Sequence, residues 1–349
     1  MSVLSYYNIL FETSLFRQQY IVKNNAEVTS GASFRFNKGS FKQCYLLYLH
    51  LLIGEEVFMK KLYSNKWVIF SLVLPGLLMF VLAILAPICL SIYYGFTDYS
   101  GMGQAKYIGF ENYKNLLTDK TFHKALINSL LLAVGFICIQ HPIALIVAAV
   151  LDKLQGKAEG FFRCVYFIPN VISVAVIAYL WKFIYNPDFG LLNNVLKAFG
   201  YQGKINWLST DHAIWSVLIV LIWHGFGWGM LIYYAGIKNI DPVLYEAGAI
   251  DGADSKSAFF RITLPLMKPI IQINVTMAII SALKQMETVY LLTNGGPGDS
   301  TQFAANYLYQ QAFKAFRYGY GNSIGVVFII ICLIATVGLN TLFREKQKA

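Results

Sequence analysis

The chain has 349 residues, of which 57% are hydrophobic and only 13% charged, too little charge for the surface of a soluble globular protein of this length. Its net charge of +10, from 28 Lys and Arg against 18 Asp and Glu, is spread over the ends of apolar runs. That spread argues against nucleic-acid binding, which gathers cations on one face, and fits anchoring beside anionic headgroups.

In chain order, residues 1–58 mix Ser, Asn, Gly and aromatics with one apolar run, 44–53, too short to cross a bilayer. Two readings stand for this extension: an interfacial segment, or a translation start that belongs at Met59, where Lys60 and Lys61 precede the first long apolar run. Neither resembles a cleaved export signal. Residues 59–349 are expected to form an all-α, polytopic membrane domain. Its six spans fall at about 67–93, 125–151, 161–184, 213–237, 269–292 and 323–343, each near the ~20 residues needed to cross ~30 Å of hydrocarbon.

Trp67, Tyr93 and Tyr94 flank the first span, and Trp181 and Tyr185 the third, as headgroup-level anchors. Pro75, Gly76 and Pro142 lie inside spans, where bundle neighbours can satisfy the freed carbonyls. His141 and His224 read as hydrogen-bonded core residues, and Gly225, Gly227 and Gly229 as points of close helix approach. Lys153, Lys157, Arg163, Lys238, Lys256, Arg261 and Lys268, with Arg344, Lys346 and Lys348 in the tail, predict cytoplasmic placement of both termini and of the 238–268 loop.

Span five carries Asn274, Ser281, Lys284, Gln285 and Thr288 at spacings that predict roughly one helical face. Polar groups at that depth belong to a bundle interior or a water-filled path, and with Glu287 they are candidates for lining a substrate path. Tyr290 and Trp228 are possible aromatic partners. Lys284 and Glu287 are close enough to meet across one turn, as an ion pair or as substrate contacts.

Between spans four and five the sequence Tyr245-Glu246-Ala247-Gly248-Ala249-Ile250-Asp251-Gly252-Ala253-Asp254 leads through Phe259, Phe260 and Ile262 to Leu264-Pro265. It predicts two short helices with a turn at Asp251-Gly252. Leu264-Pro265 is expected to end the segment, and Ala249, Ala253, Phe260 and Leu264 to form an apolar knob.

Glu246-Ala247-Gly248, then Gly252, Ile262 and Leu264-Pro265 at the same spacing, resemble the conserved cytoplasmic loop of binding-protein-dependent ABC importer permeases. The departure is Gly248, where that pattern has alanine, a change worth roughly 0.5–1 kcal/mol in a helix interior. Phe162-Arg163, Phe167-Ile168-Pro169, residues 186–193 and Leu292-Thr293-Asn294-Gly295-Gly296-Pro297 are similar to the sugar group of that family, oligosaccharide and glycerol-phosphate permeases like the maltose-system F subunit. Met286 and Glu287 stand where such relatives commonly carry Phe and Asp.

The resemblance implies a six-helix permease bundle in the cell membrane whose loop is a coupling helix, with Glu246, Ala247, Gly248, Gly252, Ile262, Leu264 and Pro265 docking to an ATPase or shaping the docked element. It implies a second permease subunit, two ATPase subunits that bind ATP, a solute-binding protein and a sugar substrate, with no cofactor on this chain. No phosphate-binding G-x-x-x-x-G-K-[ST] or HExxH motif occurs, and no catalytic residue is assigned. Five dispersed cysteines, Cys44, Cys89, Cys138, Cys164 and Cys332, without a CxxC pair, indicate neither disulfides nor a metal site. An ion-coupled secondary transporter and a membrane scaffold are the alternatives.

Overall fold

The computed structural model describes residues 66–154 and 156–343. The extension 1–58, the proposed start at Met59, Cys44 and the cations of the C-terminal tail lie outside the described residues. Contacts divide the chain into two units, one ending at Phe80 and one beginning at Val81. In the first unit, α1 (Lys66–Phe80) has no buried side chain, and Trp67 is 78% exposed, as suits a helix bathed in lipid.

The second unit is built from helices. Its long elements are α2 (Ala86–Gly95), α3 (Lys120–Gly135) continued by α4 (His141–Lys153), α5 (Lys157–Val171), α6 (Val174–Ile184), α7 (Ala213–Lys238), α8 (Lys268–Leu283) and α9 (Tyr318–Phe343). Among the described residues, four helical runs are long and apolar enough to cross a membrane: Lys66–Gly95, Lys120–Lys153, Ala213–Lys238 and Tyr318–Leu339. Two bent pairs bring the number to six.

The bent pairs correct the expectation of six simple spans. Span three breaks between α5 and α6 with a 95° bend, and the helix leading into α8 bends by 67° at Met267. Span five also ends early: α8 stops at Leu283, and a separate turn of helix, Glu287–Leu292, follows. The proline at 265 does not end the loop segment between spans four and five either, since helix continues through Leu264–Leu266 and turns at Met267.

The reason lies in the local hydrogen bonding. Pro87, Pro142 and Pro265 each follow, by two residues, a π-helical segment: Val81–Leu85, Phe136–Gln140 and Phe259–Thr263. A proline donates nothing to the carbonyl four residues back and its ring crowds that group. In each case that carbonyl, of Ala83, Cys138 or Arg261, sits at the centre of the π segment, where the wider turn gives it room.

α7 is the hub of the unit, packing on α4 and α5. Its glycines permit this. A Cβ on Gly227 would strike the Tyr166 carbonyl and come within 3.0 Å of Phe167 Cα on α5, and one on Gly229 would lie 3.3 Å from the His141 ring on α4. The predicted close approach is therefore present. His141 is buried and lies 3.0 Å from the Tyr233 hydroxyl, as the core reading expects, while His224 is half-buried. Tyr185 is 1% exposed and donates to the Ser216 carbonyl at 2.9 Å. Its ring packs on Trp181. This end of span three is therefore held in the core, because the bend at Ile172-Ser173 turns α6 inward, and Tyr185 is no headgroup anchor. Cys89, Cys138, Cys164 and Cys332 are free thiols.

Candidate functional site

The loop between α7 and α8 is defined by its caps. Asp241 accepts the Val243 amide at 3.0 Å, Pro242 occupies the first turn, and a nine-residue helix, α10 (Pro242–Ile250), follows. The helix ends with the Ala253 amide donating to the Gly248 carbonyl at 2.8 Å and the Gly252 amide to that of Ala249 at 3.1 Å. This pair of bonds forms a Schellman motif, which requires a left-handed residue between them. Gly252 supplies it, with φ of 82°. Asp254 then caps the next turn by accepting the Ser257 amide at 2.8 Å. The two predicted helices and their turn stand where the sequence placed them.

The inner side of this hairpin is bolted down. The Tyr245 hydroxyl meets Thr263 Oγ1 at 2.9 Å, and Phe259 and Leu264 pack against the buried cluster of Met230, Tyr233 and Met267. Gly248 lies beneath Ile262, whose Cδ1 would be 2.7 Å from an added Cβ. The glycine thus seats the isoleucine's flexible end as well as loosening a helix. The outer side is open: Ile250 is 87% exposed, Phe260 63% and Val243 60%, and Glu246 and Ala247 are exposed beside them. The expected knob of Ala249, Ala253, Phe260 and Leu264 is therefore shifted. Leu264 turns inward because Met267 bends the chain, and Ile250 and Val243 take its place outside. Pro265 is exposed and Ile262 half-buried.

Charged groups at this end were dispersed in sequence and come together in space. Lys238 pairs with Asp152 at 2.9 Å, and Arg163 approaches Glu159 at 3.9 Å. Glu159 accepts from the Tyr234 hydroxyl, and Lys153 donates to Ser255. The last contact ties the end of α4 to the hairpin. No sequence spacing announces pairs that lie 75 to 102 residues apart.

The breaks in spans three and five meet at a cavity of about 290 Å³, lined by Ser173, Val174 and Ala175 on one side and Met286, Glu287, Tyr290 and Leu291 on the other. Of the span-five candidates only Glu287 lines it. Asn274 and Thr288 are buried, Ser281 and Lys284 are exposed, and Gln285 is half-buried. They differ in burial, and the single helix that would align them is interrupted between Leu283 and Glu287. Among the described residues Lys284 and Glu287 form no ion pair. Tyr290 joins the cavity, whereas Trp228 is exposed on α7. Ser173 was not singled out from sequence, since its role arises from the bend.

Residues 140–345 match the family described as binding-protein-dependent transport system inner membrane component. The chain belongs to this family. The probable ABC transporter permease protein YurN of Bacillus subtilis (strain 168) is 39% identical over 289 residues, covering 82% of this chain and 99% of that protein. The multiple sugar-binding transport system permease protein MsmF of Streptococcus mutans is 32% identical over 286 residues, covering 80% and 95%. The fold aligns with TM-score 0.72 and 22% identity, over 83% of this chain and 98% of the other, to a bacterial alginate ABC transporter solved with an alginate pentasaccharide-bound periplasmic protein. The permease is thus an all-α, membrane-embedded transport subunit with no enzymatic role of its own.

Proposed function

We propose that this permease forms one membrane-spanning half of an ATP-driven sugar importer and that its 242–266 hairpin is gripped by a separate ATPase. The observation that carries the reading is the hairpin itself. A Schellman-turned helix is fixed on its inner side by Tyr245, Ile262 and Leu264 and carries Val243, Ala247, Ile250 and Phe260 on its outer side. An exposed apolar crest on a rigid mount suits burial in a partner's groove. Glu246 would meet a cation there.

The permease would work with a second permease subunit, two ATPase subunits that hold the ATP, and a solute-binding protein on the opposite face. Both termini and the hairpin would face the cytoplasm. Relatives named for multiple sugars and for arabinooligosaccharides favour a sugar substrate. The cavity at Ser173 and Glu287 would be its passage, with Asn274, Ser281, Lys284, Gln285 and Thr288 around it in other states of the cycle. Closure of the ATPases would bias inward-facing against outward-facing arrangements through the hairpin, which requires the motor to hold the two states with different affinity.

Proteoliposomes separate this reading from ion coupling. The complete assembly should accumulate radiolabelled malto- or arabino-oligosaccharide only with ATP and binding protein, and the isolated chain should accumulate none under a proton or sodium gradient. Uphill uptake by the chain alone, indifferent to ATP, would contradict the proposal.

A further inference from the structure

Six aromatic rings run in unbroken contact away from the cavity. Tyr290, which lines it, meets Tyr309 at 5.4 Å between centroids, and Tyr309 meets Phe313 at 5.3 Å. Phe313 meets Tyr318 at 5.8 Å, Tyr318 meets Tyr99 at 6.0 Å, and Tyr99 stacks on Tyr94 at 4.9 Å. The rings come from three separate stretches of chain: the helix after the span-five break, the segment between spans five and six with the start of α9, and the end of span one. All lie at the end of the bundle away from the coupling hairpin, where Gly319 donates to the Tyr99 carbonyl at 2.8 Å and joins two of these stretches.

Two features separate this strip from ordinary packing. Core rings here are sealed, as Tyr185 is, whereas Phe313 is 54% exposed and its neighbours are half-buried. Five of the six rings are phenols, and a cation stands among them: Lys314 Nζ lies 4.5 Å from the Tyr290 centroid and 3.3 Å from Asn294 Oδ1. A strip meant for acyl chains has no use for that ammonium, and an interfacial girdle would run around the bundle instead of leading into a cavity.

We propose that the strip is an oligosaccharide-binding track that leads sugar rings from the outer end of the permease into the cavity at Tyr290 and Glu287. A pyranose or furanose has C–H-rich faces that lie against aromatic rings and hydroxyl edges that need donors and acceptors. The strip offers both, with phenol hydroxyls and Lys314 beside rings in edge-on, tilted and, at Tyr94 and Tyr99, stacked contact. Consecutive centroids 4.9 to 6.0 Å apart let one sugar unit leave a ring as it reaches the next, so no single site holds the chain tightly. The track rests on the sugar-import reading and adds to it a preference for chains longer than a disaccharide.

The test is uptake by the complete assembly in proteoliposomes, with labelled malto- and arabino-oligosaccharides from disaccharide to pentasaccharide. Phe313→Leu keeps apolar bulk and removes the ring, and at an exposed position it leaves folding intact. It should slow pentasaccharide uptake about three- to tenfold, the range expected for one lost aromatic contact, with little change for the disaccharide or in ATP hydrolysis. Tyr309→Leu should do the same, and Phe313→Tyr should restore uptake. Equal uptake by Phe313→Leu and wild type at every chain length would overturn the track. So would a loss independent of chain length, unrescued by tyrosine, or dependent on lipid composition. Failure of the wild-type assembly to move any sugar with ATP would instead overturn the importer reading, and the track with it.

Discussion

Asp119 joins three parts of the fold through one carboxylate. Its Oδ1 caps α3 by accepting the amides of Thr121 at 2.9 Å and Phe122 at 3.1 Å. Its Oδ2 accepts the hydroxyls of Tyr307 at 2.5 Å and Tyr320 at 2.6 Å. Burial alone would raise its pKa, but the two hydroxyls and two amides outweigh burial and hold the carboxyl below its usual range. A depressed folded value means stabilisation that is present above the unfolded pKa of about 3.9 and lost as pH falls through the folded one. Asp119→Asn should therefore lower the thermal midpoint in detergent at pH 7, with the gap to wild type narrowing below about pH 4. A gap that is constant across that range would deny the carboxylate this role. The sequence held the cap signal, an aspartate just before a helix, but nothing in it disclosed that the tyrosines would come from 188 and 201 residues downstream.

At the scale of elements, legibility followed chemistry. Apolar length revealed the spans near 67–93, 125–151 and 213–237, because membrane crossing imposes it directly. The hairpin was readable because Asp-Gly and the small residues around it are local signals. The breaks at Ile172-Ser173 and after Leu283 were not, since polar residues in a span indicate a path without showing where a helix stops. Pro265 pointed to an end that the π segment Phe259–Thr263 absorbs. For the hairpin, valine at 252 would have to adopt a φ of 82°, which costs an L-residue about 1–2 kcal/mol, while open space surrounds the position. Gly252→Val should thus insert into the membrane normally and co-purify with less ATPase. Gly252→Asn, which tolerates left-handed torsions, should stay near wild type. Identical co-purification of the two would remove the turn from the coupling account.

Across the whole second unit, two ends have different chemistry. One gathers Asp152, Lys153, Glu159, Arg163 and Lys238 around the hairpin. The other gathers Asp119, the aromatic strip and the turn at Asn294, where Gln310 donates to the Asn294 carbonyl at 2.9 Å. Between them lies the cavity formed where two bent spans meet. An importer of the proposed kind would use that polarity: a motor contact at one end, substrate entry at the other, and an interruption of the helices in between. The most direct test is labelling at the crest. With the five native cysteines replaced by alanine, Ile250→Cys should react with a membrane-impermeant maleimide in inside-out vesicles, and added ATPase subunit should protect it. Reaction in intact, right-side-out cells, or labelling that the ATPase leaves unchanged, would contradict the account.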